Sequence, residues 1–78
     1  MDKISVGSKL RSLRMERGES IEITAGKIGI SKSALAMYER GERTPRDEVK
    51  VKISKYYEKG IEEIFLQVNY TYSAITEG

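Results

Sequence analysis

Residues 21–40, IEITAGKIGISKSALAMYER, decide the fold of this 78-residue chain. Small and apolar residues fall in it where two short helices cross closely. Two helices packed at a steep angle over a turn of three or four residues need a side chain no larger than a methyl at the crossing, and Ala25 stands there. The chain must reverse directly after Ile28, and Gly29 takes a positive φ without steric penalty. Ile28, Ile30, Leu35 and Tyr38 supply the apolar positions around the turn. Ser31 is placed to accept from the free backbone N–H groups of the following helix, so capping sets the second boundary. In one frame these signals describe a helix-turn-helix unit.

Working outward, the pattern predicts five helices. The first covers residues 6–17, with Ser5 as its cap, Val6, Leu10 and Leu13 on one stripe, and Gly18 as its stop. The second covers 21–28 after a Ser20 cap, and the third covers 32–40, ended by Gly41. Pro45 then pushes Thr44 out of helical geometry. A fourth helix runs from an Asp47 cap to Glu58, presenting Val49, Ile53, Tyr56 and Tyr57 with Val51 on a flank. After Gly60 a short fifth helix, 61–66, closes the core with Ile61, Ile64 and Phe65. In residues 67–78 Val68, Tyr70, Tyr72 and Ala74 alternate with polar residues, but a lone strand is unstable. That tail pairs with a second copy, extends the last helix or stays disordered. The expected organisation is a DNA-binding domain at 1–66 and a short C-terminal tail at 67–78.

Composition narrows the function. A chain of this length makes one domain, near the lower limit for a core without staples. With no cysteine and no histidine, thiolate or imidazole metal sites and Cys or His nucleophiles are excluded. No phosphate-cradling glycine loop or metal-ligand cluster is present, so no catalytic residue, metal or cofactor is expected, nor a small-molecule substrate. There is no apolar run of bilayer length and no signal pattern at the start; the expectation is a cytoplasmic protein without a membrane partner. Residues 1–46 hold ten Lys and Arg against six Asp and Glu, and residues 47–78 hold four against six. The basic half contains the helix-turn-helix. Solvated helix faces would give such a surplus too, but it fits a surface that neutralises phosphates.

The stretch from Gly7 to Phe65 resembles the phage repressor and Cro class of helix-turn-helix regulators, the xenobiotic-response-element (XRE) family. The outline runs through LRSLRMERGES, the motif, MYERGERTPRDEV and EEIF, with Tyr38, Glu39, Arg40, Gly41 and Pro45 as a characteristic tract. The resemblance implies an all-α, five-helix lambda-repressor-like domain that works as a homodimer on double-stranded DNA. With the third helix in the major groove, it implies base contacts from Lys32, Ser33 and Met37, with Ala34 and Ala36 on the flanks. A lysine can donate to guanine O6 and N7, a serine to several bases, and a methionine can touch a thymine methyl. Phosphate contacts are expected from Ser20 and Ser31, which are caps first, and from Arg40, Arg43, Thr44 and Arg46. Arg14 and Glu39 match a family ion pair tying helix one to helix three and are read as structural.

Helix two departs from the family pattern. Ile21 stands where glutamine usually follows the cap, Thr24 where a core leucine is expected, and Gly26 costs about 0.5 to 1 kcal/mol against alanine. That helix is therefore expected to be short, mobile or shifted, with Ile21 and Ile23 used against a partner. The function expected is a dimeric, sequence-specific regulator, a repressor before an activator, on a palindromic operator. The alternative is a protein-interaction module such as an antitoxin or adaptor.

Overall fold

The computed structural model describes residues 3–65, and all regular structure among them is helical. The order is α1 (Lys3–Glu16), α2 (Ile21–Ile28), α3 (Lys32–Glu39), α4 (Asp47–Tyr57) and α5 (Ile61–Phe65). The expectations for Leu66 and the tail lie outside the described residues.

The glycine stops and serine caps act as local chemistry dictates. After α1, Gly18 turns to φ +68°, its N–H reaches Met15 O, and the Glu19 N–H reaches Arg14 O at 3.3 Å. These bonds make the paired closure of a Schellman motif. Ser20 Oγ accepts from Ile23 N at 3.2 Å to start α2, and Gly29 ends it at φ +94°. Two residues on, Ser31 Oγ accepts from Ala34 N at 3.0 Å and starts α3. Gly41, at φ +75°, closes α3 by the same motif, with Glu42 N on Met37 O at 2.9 Å.

Several expected boundaries differ: α1 ends at Glu16 and α3 at Glu39, each one residue before its expected end. Helix α1 begins at Lys3, so Ser5 is inside the helix and is not its cap; nothing before Val6 breaks a helix, and each added residue adds a bond once a nucleus exists. The residue before α4 is Arg46, in extended geometry and without a side-chain capping bond, and Asp47 is the first helical residue. There Asp47 and Glu48 complement the helix dipole. The same helix ends at Tyr57, because Glu58 adopts the left-handed conformation at φ +57°.

Helix α1 packs on α3 and α5, α2 packs on α3 and α4, and α4 packs on α5. The core gathers Val6, Leu10, Leu13, Ile28, Ile53, Tyr57, Ile64 and Phe65, with Ile30, Tyr38, Val49 and Tyr56 packed partly buried against it. Ala25 and Leu35 are buried as the crossing requires. Ile61 is 36% exposed and does not close the core as expected; it starts α5, where Glu63 reaches back to accept from Gly60 N at 2.7 Å.

Helix α2 is neither shortened nor shifted. It keeps its full span and both caps, and Thr24 is fully buried in place of the expected leucine. A hydroxyl is tolerated there because it donates to Glu19 Oε1 at 2.7 Å. A buried hydroxyl without such an acceptor would be destabilising.

Candidate nucleic-acid interface

The outward face of α3 is set by what its inward face buries. Leu35 is 1% exposed and Tyr38 packs against the core, which turns Lys32, Ser33, Ala36, Met37 and Arg40 toward solvent. These five side chains line a shallow groove of about 490 Å³. Lys32, Ser33 and Arg40 are exposed, whereas Met37 is half-buried. The residues expected to read bases thus share one surface. Ala36 belongs to it as well, although its place on a flank was expected. The signal was in the sequence: positions 32, 33, 36, 37 and 40 form one stripe of an α-helix.

A second cleft, about 650 Å³, adjoins the first between α1, the start of α2 and the end of α3. It is lined by Arg11, Arg14, Ile21, Ala36, Glu39, Arg40 and Glu42. Arg11 was not among the expected contacts. It faces this cleft one helical turn before Arg14 and is exposed, and that spacing is the feature that could have marked it. Arg40 lines both clefts, and its guanidinium is engaged: Nε and Nη2 donate to Glu42 Oε2 and Oε1 at 2.9 and 3.0 Å.

Arg43, Thr44 and Arg46 are exposed on the α3–α4 loop, anchored by the buried Pro45. Among the described residues neither arginine has an ion-pair partner. Ser20 and Ser31 perform the capping expected of them at the starts of α2 and α3.

Two polar clusters tie the helices together, and the first of them holds the end of α3. Arg14 donates from Nε to Glu39 Oε2 at 2.8 Å and from Nη2 to Glu39 Oε1 at 3.0 Å, while Nη1 reaches Glu19 O at 2.7 Å. Side-chain exposure is only 13% and 4% for the two partners, and the paired carboxylate raises the arginine pKa further above its ordinary value. One side chain therefore joins α1, the α1–α2 turn and the end of α3, in the structural arrangement expected for the pair.

The second cluster centres on Glu19. Its carboxylate accepts from Tyr56 Oη and Thr24 Oγ1 through one oxygen and from Lys27 Nζ at 3.1 Å through the other. The Tyr56 hydrogen bond first, then those of Thr24 and Lys27, hold the carboxyl at about 2. Beside it Arg17 lies 4.5 Å from the Tyr56 ring centroid and donates to Tyr56 O at 2.9 Å. Local sequence patterns do not reveal this cluster, since its partners come from α2 and α4.

The chain matches the HTH_3 helix-turn-helix family over residues 10–64. It is 39% identical over 57 residues to the cryptic phage CTXphi transcriptional repressor RstR of Vibrio cholerae, covering 73% of this chain and 51% of that protein. The chain thus spans about half the length of that curated relative. Among solved structures, the restriction-modification controller protein C.AhdI of Aeromonas hydrophila superposes with a TM-score of 0.75 at 30% identity, over 82% of this chain and 93% of that one. An HTH_3 family transcriptional regulator from Vibrio cholerae gives 0.73 at 34% identity, over 82% and 36%. Five helices in the expected order among the described residues, a turn closed by Gly29 and a family match over residues 10–64 agree: this chain belongs to the HTH_3, or XRE-type, family of helix-turn-helix proteins.

Proposed function

We propose that this chain is a sequence-specific DNA-binding transcriptional regulator, a repressor that occupies a palindromic operator as a homodimer. The observation that carries this reading is the groove on the outer face of α3. There Lys32, Ser33, Ala36 and Met37 stand together on a helix fixed at its start by Ser31 and at its end by Arg14 and Glu39. In a major groove such a surface offers a donor for guanine, a hydroxyl for several bases and two apolar contacts for thymine methyls. Arg43, Thr44 and Arg46, with Arg11 and Arg40 across the adjoining cleft, would lie toward phosphates and set orientation without reading sequence. Two copies would place their α3 helices about 34 Å apart, one turn of the duplex. Repression needs only occupancy, and the Vibrio cholerae phage relative is named a transcriptional repressor. The role proposed is binding and not catalysis, in the cytoplasm where the DNA is.

Site selection from random duplexes, followed by sedimentation of the complex, tests this function. A palindromic consensus bound by two chains supports it, and an asymmetric site bound by one chain refutes the dimeric operator. One observation favours a second reading as a protein-interaction module: Ile23 on α2 is 52% exposed, and Met15 at the end of α1 is 58% exposed. That reading predicts weak, sequence-indifferent DNA binding.

A further inference from the structure

Among the cations of the proposed DNA face, Arg40 differs from the rest. Among the described residues Lys32, Arg43 and Arg46 have no ion-pair partner, whereas Arg40 is gripped through two donors by Glu42. The grip is built into the turn. Gly41 closes α3 at φ +75°, and the Glu42 N–H is tied to Met37 O at 2.9 Å, which brings residue 42 back over the end of the helix beside residue 40. Both side chains stay more than half exposed, and exposed pairs of this kind are weak. Arg40 also lines both clefts flanking α3, together with Ala36.

We propose that Glu42 is an affinity-setting residue of the DNA face, an internal anion that competes with backbone phosphate for Arg40. This rests on the DNA-binding reading above. A cation adds to DNA affinity by displacing condensed counterions. A guanidinium partly neutralised by a carboxylate held beside it displaces fewer, and a phosphate that approaches it also meets the carboxylate charge. The domain therefore presents Arg40 to DNA at a discount that residue 42 controls, and binding stays weaker and less salt-sensitive than the count of basic side chains implies.

A double-mutant cycle tests this: wild type, Glu42→Gln, Arg40→Gln and the double variant of the full chain, titrated against a selected duplex and a scrambled duplex of equal length at two salt concentrations. Both positions are exposed, and circular dichroism confirms that each variant is folded. Glu42→Gln is expected to bind both duplexes about three- to tenfold more tightly, with a salt slope steeper by about one. In the Arg40→Gln background the same change is expected to have little effect. An equal gain in that background would mean that Glu42 acts only as a nearby negative charge, and no gain or a loss in the wild-type background would mean that it does not compete. Either result overturns the inference while leaving DNA binding intact. A wild-type chain that binds neither duplex at low salt overturns the DNA reading and this inference with it.

Discussion

A Cβ on Gly7 would stand 2.4 Å from the backbone carbonyl oxygen of Glu39, so α1 crosses the end of α3 at a distance that only glycine permits. Tyr38 O, at 2.7 Å, closes the same space from the side. Both obstacles are backbone, which cannot swing aside as a flexible side chain would. The close approach brings the start of α1 against the helix proposed to read DNA.

Gly7→Ala should therefore destabilise the domain by about 1 to 3 kcal/mol, the usual range for overpacking. It should do so even though alanine gains about 0.5 to 1 kcal/mol in a helix interior. Urea denaturation measures it, and an unchanged midpoint would show that the helices separate without loss.

Gly26→Ala is the contrasting substitution. Gly26 lies within α2 and is exposed, with nothing within 4 Å of where a Cβ would be. Its φ is not positive, so alanine fits unstrained and should stabilise by about 0.5 to 1 kcal/mol. A rise in the thermal midpoint checks this.

These two glycines show what the sequence made legible. The penalty at Gly26 follows from its place inside a helix, whereas the need for Gly7 depends on a carbonyl more than thirty residues away. In the same way the boundaries of α2 and α3 follow from Ser20, Gly29 and Ser31, whose bonds are local. Asp47 and Ser5 look like caps by residue type, but helix propagation and the extended Arg46 assigned them interior places. Thr24 looks like a defect until Glu19 is seen beside it. The outward stripe of α3 was legible from period, Ala36 included, and Arg11 from its spacing to Arg14, while the Arg40–Glu42 grip emerges only from the turn after α3.

Removing Glu39 should be costly because it strands Arg14 in a nearly closed site. Glu39→Ala is expected to lose about 3 kcal/mol, at the lower end of the range for a broken buried pair because the guanidinium is 13% exposed. Replacing Arg14 by Met and Glu39 by Leu together should recover most of that loss, since no charge remains unpaired. Chemical denaturation of the three chains distinguishes the pair from simple packing.

The Glu19 cluster predicts an acid-sensitive joint between α2 and α4. Its carboxyl is held at about 2 against an ordinary 4.5, so folding favours the ionised form. The stability it contributes is complete above about pH 5 and declines as pH falls toward 2. The urea midpoint of the wild type should fall over that window, and the fall should be shallower in Glu19→Gln, which is less stable at pH 7. Parallel curves would show that other carboxylates carry the acid response.

Base reading by the outer face of α3 is measured by titrating the wild type and a Lys32→Ala, Ser33→Ala double variant against a selected duplex and its scrambled control. The wild type is expected to prefer the selected duplex by about a thousandfold or more. The variant is expected to lose most of that preference while retaining salt-sensitive binding to both duplexes. A wild type that binds the two duplexes equally, or a variant that discriminates as well as the wild type, would contradict base reading by α3.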